Sequence, residues 1–473
     1  MQYSVINYKT VKENIDFRYE PEFWLPKYIE EENRLSEIKT VPLIDCISFS
    51  NGHAFDSNEF SFDGEVYIAK IGDVTQKRDF HLWEKVSKKH FEELKAKYLK
   101  NNDILMTLTG DPPDVGKVQL IYNPPKEQLS WNQRVALLRL KKQDSIDSPE
   151  FLFVVLSSKY CRDYIERWAK GIRQRNVGNP AVLSMAIPVL SKLQTSLSEL
   201  VKKSFDLINQ SKSLYSQAEQ FLLSELGLAD WKPKHRLTFV KNFSDTQKAE
   251  RIDAEYFQPK YEEIIEAVKK YKGGFDKLEN LVKIKDKNFT PKDHEQYKYI
   301  ELANISSNGE INGYTENLGS ELPSRARRKV QKGDLIVSSI EGSLESIALI
   351  TEDWKNALCS TGFFVINSDK INPETLLVLL KTKIGQLQLK RGCKGTILTA
   401  IGKEEISKIV LPKIDSKIQE EIKKKIVKMY ETKKLSKSLL EIAKRGVEIA
   451  IEKNEEEAEK WIKSELVKLE ITL

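Results

Sequence analysis

The chain has 473 residues, enough for two or three domains of ordinary size. With 40% hydrophobic and 31% charged residues, it has the composition of a soluble globular protein. Its 76 Lys and Arg against 70 Asp and Glu leave a net charge of +6, which permits a nucleic-acid partner without requiring one. No apolar run approaches the roughly 20 residues of a membrane span, and the opening stretch MQYSVINYKTVKEN has no signal-peptide core. We expect a cytoplasmic protein with no membrane partner.

The residues that usually carry catalysis or bind metals form no recognisable motif. The sequence has five histidines without an HExxH pair, no GxxxxGK[ST] phosphate loop and no GxGxxG after a strand. Its four cysteines are far apart and are predicted to be buried thiols of a reducing compartment: Cys46, Cys161, Cys359 and Cys393. We therefore predict no catalytic residue, no metal and no cofactor within this chain.

One phrase occurs twice. Residues 18–28 read RYEPEFWLPKY and residues 251–261 read RIDAEYFQPKY, 233 positions apart (251 − 18). The phrases share an Arg, a Glu and a Pro-Lys-Tyr ending, and the aromatic residues between them are exchanged for other aromatics. A solenoid repeats every 20–50 residues or so, and this period is much longer. The phrase therefore indicates two copies of a whole domain.

Further segments match in the same order. The matched pairs are 66–74 with 298–306, 101–107 with 332–338, 116–121 with 345–350, and, without a gap, 148–190 with 372–414. Each copy is predicted to begin with short strands and to continue with a helix, over roughly 149–168 or 373–391. A Lys-Gly loop, a short helix and an apolar strand ending in proline follow. The mixture of strands and helices predicts an α+β or mixed α/β unit.

A long helix is predicted after each copy. Residues 191–226 contain no Gly or Pro, and one apolar column repeats every seven residues: Leu193, Leu200, Leu207, Leu214 and Phe221. A parallel column holds the small residues Ser204, Ser211 and Ala218, which would let a partner helix approach closely. After Pro412 a second stripe runs through Ile418, Ile422, Leu435, Leu439, Ile442 and Ile449, with Gly446 as a possible interruption. We expect the two helices to pair; the alternative is that each packs only on its own domain.

Polar loops supply the candidate recognition residues. Arginine, glutamine and asparagine side chains hydrogen-bond guanine and adenine edges, and cations bind phosphates. Four segments supply the candidates, and the last of them, the counterpart of the first Lys-Gly loop, has different polar residues. The candidates are Lys170, Arg173, Gln174, Arg175 and Asn176 in the first Lys-Gly loop; Asn132, Gln133 and Arg134; Arg325, Arg327 and Arg328; and Lys394, Thr396 and Thr399 in the second Lys-Gly loop. Solvated loops without a function are the alternative.

Two Asp-Pro-Pro or Asn-Pro-Pro fragments are interpreted as turns. In adenine methyltransferases an aromatic ring follows such a motif and stacks on the flipped base. Here Asp114 and Lys126 occupy that position, and no glycine-rich cofactor loop accompanies them.

With two variable domains, each ending in a Lys-Gly loop, a Pro-terminated strand and a long helix, the chain resembles the specificity (S) subunits of type I restriction-modification systems. The RIDAEYFQPKY phrase is also similar to that family. The resemblance implies target-recognition domains over 1–190 and 231–412, each reading one half of a split site in double-stranded DNA. It implies spacer helices over 191–230 and 413–473 that pack antiparallel.

The same resemblance implies the partners and the cofactors they bring. Two methyltransferase (M) subunits would bind S-adenosylmethionine and methylate the site, and restriction (R) subunits, if present, would use ATP and Mg. The chain itself would be non-catalytic. Two alternatives stay open: the recognition part of a fused restriction-methyltransferase, and a coiled-coil scaffold that does not bind DNA. The sequence does not indicate which bases are read or how many separate the half-sites.

Overall fold

The computed structural model describes residues 4–14, 16–61, 63–142, 145–306, 308–395 and 399–471. The described residues form two compact units. The first unit consists of the described residues within 1–208 and 433–473, and the second unit consists of those within 209–432. Each of the two longest helices contributes one part to each unit. None of the helices in the described ranges is long and apolar enough to cross a membrane.

The first unit is built on two small sheets. One is antiparallel, in the order Ile47–Asn51, Val135–Leu140, Ile104–Thr107, Val118–Leu120. The other has the order Glu84–Val86, Val66–Ala69, Leu129–Trp131, and its last two strands are parallel. Two further antiparallel pairs are Thr40–Pro42 with Ala186–Pro188 and Thr109–Gly110 with Arg175–Asn176.

The second unit repeats this plan. Its antiparallel sheet has the order Lys283–Lys285, Phe363–Asn367, Leu335–Ser338, Ile347–Leu349. Its other sheet has the order Thr315–Leu318, Gln296–Ile300, Leu358–Ser360, Ala326–Lys329, with the middle two strands parallel. Two antiparallel pairs complete it: Phe275–Lys277 with Val410–Pro412 and Cys393–Lys394 with Ala400–Ile401.

The α-helices of the described residues match between the units at six positions, and the first unit has two more, Ile71–Thr75 and Lys88–Glu93. Those of the first are Tyr8–Glu13, Pro26–Ser36, Leu43–Cys46, Ile71–Thr75, Lys88–Glu93, Pro149–Ser157, Lys159–Trp168 and Asn179–Leu183. Those of the second are Phe243–Ala249, Pro259–Lys269, Leu278–Leu281, Pro373–Lys381, Lys383–Gly392 and Lys403–Ser407. Because strands, helices and pairings recur in the same order, the predicted duplication of a mixed α/β domain is confirmed.

The repeated phrase fastens the start of each copy to its helical end. Arg18 pairs with Glu20, with 2.9 Å between Nε and Oε2, and its guanidinium donates to the backbone oxygen of Trp168 at 3.4 Å. Arg251 does the same in the second unit, with Asp253 at 2.7 Å and the backbone oxygen of Arg391 at 3.3 Å. The arginine of the phrase therefore makes the same contacts in both units.

The predicted domain helix is in fact two helices in each copy. The chain leaves the helical conformation at Ser158 (ψ 159°) and at the equivalent Thr382 (ψ 171°). Both side chains are buried, and each hydroxyl donates to the carbonyl three residues earlier, Val155 or Leu379. The prediction of one helix over 149–168 or 373–391 was therefore wrong. A short hydroxyl side chain that satisfies its own backbone permits the break.

The long helices are Gln194–Glu225 and Ser416–Glu452, the latter followed by Glu455–Lys468. The column of small residues on the first is fully buried, and every seventh residue of the second is buried opposite it: Ile422, Met429, Ser436, Ala443 and Ala450. The hydroxyl oxygens of Ser204 and Ser436 lie 2.8 Å apart, and each is within hydrogen-bond distance of the other residue's carbonyl, at 3.0 and 2.9 Å. Gln217 lies beside Lys425 at 3.4 Å, so the pairing is antiparallel.

Both predicted arrangements of these helices are present: the helices pair with each other, and they also pack on the domains. Leu193, Leu197 and Leu200 belong to the core of the first unit as well as to the helix pair. Phe221 is 37% exposed, so the first apolar column turns out of the seam before the helix ends. A straight helix of 3.6 residues per turn drifts against a seven-residue repeat, and the small column therefore keeps the central position.

Gly446 does not interrupt the C-terminal helix, contrary to the expectation. The helix ends instead at Glu452, and Asn454 caps the next one by accepting from the amide of Glu457 at 2.9 Å. A Cβ at position 446 would lie 2.7 Å from Cδ1 of Ile462. The glycine therefore allows the last helix to fold back closely onto the C-terminal one.

The four cysteines are buried thiols, as predicted. Burial raises the pKa of the Cys161 thiol to about 12.

A cavity of about 550 Å³ lies in the first unit beside the repeated phrase, between Trp24, Tyr28, Tyr160 and Trp168. Glu31 faces it, 8% exposed, and its Oε1 is 2.9 Å from Nζ of Lys159. Burial raises the pKa of this carboxyl from 4.5 to about 7, while Lys159 opposes the shift. The folded state thus holds this proton where the unfolded state has released it. The stability contributed by Glu31 is lost as the pH rises from about 4.5 through 7.

Replacing Glu31 by Gln should remove this loss. At pH 8 the variant should be more stable than the parent by about 1–2 kcal/mol, allowing for the lost Lys159 pair, and at pH 5 the two should be close. Denaturant unfolding at both pH values measures the difference. Glu30→Gln, at an exposed neighbouring position, is the matched control and should show no pH-dependent gain. Equal stability changes at both pH values would contradict the assignment.

Candidate nucleic-acid interface

Two of the predicted recognition loops meet at one strand end in the first unit. The amide of Leu108 donates to the carbonyl of Arg134, and the amide of Val177 donates to the carbonyl of Leu108, both at 3.0 Å. Thr109 and Gly110 then pair with Asn176 and Arg175. The segments 132–134 and 173–176, 39 positions apart in sequence (173 − 134), are therefore held side by side by residues 108–110.

The Lys-Gly loop is a small hairpin. The amides of Lys170 and Asn176 each donate to the other's carbonyl at 2.8 Å. Gly171 has φ +113°, and a Cβ there would lie 2.3 Å from the carbonyl oxygen of Gln174. Only glycine fits this turn without strain. Arg175 and Asn176 thus lie in a short strand and not in the open loop expected from the sequence.

Gly171→Ala tests the importance of this hairpin. The clash with the Gln174 carbonyl should distort residues 170–176 and weaken recognition of one DNA half-site about tenfold or more, with a stability loss of about 1–3 kcal/mol. Gly178→Ala is the matched control, since Gly178 has φ −74° and its Cβ would meet only Cδ of Pro180, at 3.7 Å. DNA binding of the assembled complex and thermal unfolding are the measurements. Equal effects of the two substitutions would rule out the special role of position 171.

The predicted residues of the first unit differ in their exposure and in whether their side chains already have hydrogen-bond or ion-pair partners. Gln133, Arg134, Arg173 and Gln174 are exposed, and among the described residues their side chains have no hydrogen bond or ion pair. Arg175 is half-buried, with Glu166 at 3.9 Å, and its Nε has no partner within the described chain.

The remaining three side chains are engaged. Lys170 pairs with Asp16 at 2.9 Å, Asn176 accepts from the hydroxyl of Thr109, and Asn132 accepts from the amide of Arg134 at 3.4 Å.

The second unit brings the equivalent segments together. The amide of Ile401 donates to the carbonyl of Ser339 at 2.8 Å, and the amide of Ser339 donates to the carbonyl of Gly362 at 2.9 Å. The amide of Glu341 donates to the carbonyl of Thr399 at 3.0 Å, and that of Thr361 to the carbonyl of Arg325 at 2.9 Å. The predicted residues Arg325 and Thr399 are therefore neighbours of one junction. Thr396 lies outside the described residues.

The cations of the second unit are mostly engaged. Arg327 donates from Nε to the carbonyl of Ser324 at 3.1 Å, Arg328 donates to the carbonyl of Asp286, and Lys394 pairs with Glu405 at 3.2 Å. Arg325 is exposed, and no hydrogen bond or ion pair of its side chain is found in the described part of the chain. Ala326–Lys329 is a strand with a bulge, where a loop was expected.

Residues 108–110 and 339–341 were missed by the sequence prediction. They are equivalent, 231 positions apart (339 − 108), and each follows a buried strand. The offset that aligns 101–107 with 332–338 could have found them. They add Thr109, Ser339 and Glu341 to the polar groups at the two junctions, and hydroxyls and carboxylates are acceptors that can complement base edges.

The arrangement suits recognition of an extended polar surface. Each unit presents amide, guanidinium or hydroxyl groups beside short paired strands. The frame is the same in both units, but the polar side chains differ. Such a pair of sites would bind two chemically different stretches of one polymer in the same manner.

Comparison with known proteins gives one family match. Residues 36–204 match the family model of the type I restriction modification DNA specificity domain. A comparison with curated proteins gave no match.

Solved structures of specificity subunits are similar to the chain at low identity. The type I restriction-modification S subunit from M. genitalium is 14% identical, with a TM-score of 0.38; the match covers 86% of this chain and 93% of that one. The HsdS subunit from Thermoanaerobacter tengcongensis is 13% identical, with a TM-score of 0.29, covering 88% and 97%. A chain from a study of complex assembly and conformational transition of the type I R-M system is 12% identical, with a TM-score of 0.28, covering 86% and 97%.

The matched residues 36–204 span the strands, the domain helices and the first part of the long helix of the first unit. Residues 36–204 are therefore similar to the type I restriction modification DNA specificity domain, and the predicted resemblance to the specificity subunits of these systems is confirmed.

Proposed function

We propose that the chain is the non-catalytic subunit that gives a type I restriction-modification complex its DNA sequence specificity, with each unit reading one half of a bipartite site in double-stranded DNA. The observation that carries the proposal is the repeated junction: the same three segments converge in both units, but with different polar side chains. A shared frame fixes a common mode of DNA contact, and different side chains select different bases.

We propose the domain boundaries and partners in the same terms. Residues 1–190 and 231–412 are the two target-recognition domains, and 191–230 and 413–473 are the spacer helices. Two methyltransferase subunits bind S-adenosylmethionine and carry out the methylation, and R subunits with ATP and Mg are a possible addition. The free side chains of Gln133, Arg134, Arg173, Gln174 and Arg325 are the strongest candidates for base contacts.

Methylation-sensitive sequencing of DNA from cells that co-express the chain with its cognate methyltransferase subunit tests the proposal. The expected result is one methylated motif made of two specific half-sites separated by a fixed number of unspecified bases. As a control, the purified chain with DNA and labelled S-adenosylmethionine should transfer no methyl group. A continuous motif, or methyl transfer by the chain alone, would overturn the proposal.

A further inference from the structure

Three strongly exposed apolar side chains recur at equivalent positions of the two units. Val5 and Val240 are 91% and 94% exposed, and Tyr8 and Phe243 are 70% and 73% exposed. Tyr19 and Ile252, each directly after the phrase arginine, are 74% and 88% exposed. We call Val5, Tyr8 and Tyr19, and likewise Val240, Phe243 and Ile252, the apolar triplets. Exposed apolar side chains that lie together mark interaction sites, and the valine and the aromatic residue are three positions apart in both units (8 − 5 and 243 − 240).

The backbone presents the triplets in the same way. Asn7 and Asn242 precede short helices in matching extended conformations, with φ −69° and ψ 134° against φ −74° and ψ 145°. The residues before the phrase arginines, Phe17 and Glu250, both have positive φ, at 49° and 51°. The internal duplication therefore extends in front of the repeated phrase, through Val-x-Asn-aromatic at 5–8 and 240–243.

The inward-facing positions on either side of the valines differ between the two units. Ser4 donates to the carbonyl of Trp24 and Ile6 packs on the core of the first unit. The equivalents are Phe239 and Lys241, and Lys241 pairs with Glu262 at 2.6 Å. The inward-facing side chains thus differ in polarity between the units, whereas the solvent-exposed side chains are apolar in both. The fold of either unit does not require that, so the constraint lies outside the chain.

The constraint is the same on both units, unlike that on the recognition loops. The loops are polar and differ between the units, as contacts to two different half-sites require. A surface that is apolar and alike on both units fits one partner that is present in two copies and makes the same contact twice.

We propose that each apolar triplet is a docking point for one methyltransferase subunit, which receives the valine and the aromatic side chain in an apolar pocket. This inference rests on the proposed function, since that function supplies a partner in two copies. Val5 and Tyr8 serve one subunit, and Val240 and Phe243 serve the other.

The test uses the full chain co-purified with its cognate methyltransferase subunit, with native mass spectrometry of the complex and titration of the affinity. Val5→Ser with Tyr8→Ser, or Val240→Ser with Phe243→Ser, should weaken one of the two docking events at least tenfold and convert complexes with two methyltransferase subunits to complexes with one. The four substitutions together should leave the chain without either subunit. Ile172→Ser is the matched control, because Ile172 is 95% exposed but lies in a recognition loop, and it should keep both subunits bound.

The outcomes separate this inference from the function on which it rests. If the parent chain binds no methyltransferase subunit, the proposed function fails. If the parent and both paired variants bind two subunits with equal affinity, only the docking assignment fails. A parent chain that forms dimers by light scattering, with the dimers lost in the paired variants, would assign the triplets to a second copy of the chain and overturn the proposal. Should the serine pairs lower the melting temperature, Val5→Thr and Val240→Thr, which preserve side-chain shape, carry the same test.

Discussion

Adding four residues to each long helix should lengthen the gap between the two half-sites by one or two base pairs and leave the sequence of both half-sites unchanged. In the proposed function the long helices are the spacers between the two recognition domains, so their length is expected to set the distance between the half-sites. Each of the two helices contributes one part to each unit. Four residues add about 6 Å to a helix, and DNA rises about 3.4 Å per base pair. Comparison of the methylated sites of the parent and the lengthened protein measures the change.

The insertions belong between 208 and 209 and between 432 and 433, where the units divide. They must continue the buried columns that include Ser204 and Ser436, because a polar or glycine-containing insertion would open the seam. An insertion of equal length with polar residues at the seam positions is the matched control and should lose activity. An unchanged gap with full activity would show that the helices do not set the spacing.

Arg173→Ala should relax one half-site and spare the other. Arg173 is exposed at the tip of the hairpin and has no hydrogen bond or ion pair within the described residues, so its guanidinium is available to a base. A base-reading arginine contributes about 1–3 kcal/mol of discrimination, which corresponds to about five- to 150-fold in relative affinity. Methylation-sensitive sequencing and competition binding with single-base variants of each half-site measure the loss.

Two further variants show whether the lost discrimination reflects a base contact or a phosphate contact. Arg325→Ala should relax the other half-site, because Arg325 is the free arginine at the junction of the second unit. Arg173→Lys retains the charge and should keep phosphate binding while losing bidentate contact to a base. If Arg173→Ala weakened all sequences equally and reduced the salt dependence of binding, Arg173 would be a phosphate contact.

The sequence by itself determined the duplication, the order of elements in each copy and the pairing of the long helices. These follow from short-range patterns: the repeated phrase, the matched offsets, the seven-residue column of small residues and the absence of Gly and Pro from 191–226. Heptad spacing states which helix face is buried, whatever the rest of the chain does. The candidate recognition loops were also found in this way, because the Lys-Gly frame is written in both copies.

Only the tertiary structure decided which of those loops meet and which of their side chains are free. The junction at Leu108 is made of backbone hydrogen bonds between segments far apart in sequence. Because every residue type has these backbone groups, the amino-acid sequence does not predict which of them will pair. Arg328 and Lys394 read as candidate contacts equal to Arg173 and Arg325, but folding places a carbonyl beside one and a carboxylate beside the other. The breaks at Ser158 and Thr382 and the continuity of the helix through Gly446 were decided likewise. A serine or glycine is compatible with either conformation, and the neighbours that fold against it select one.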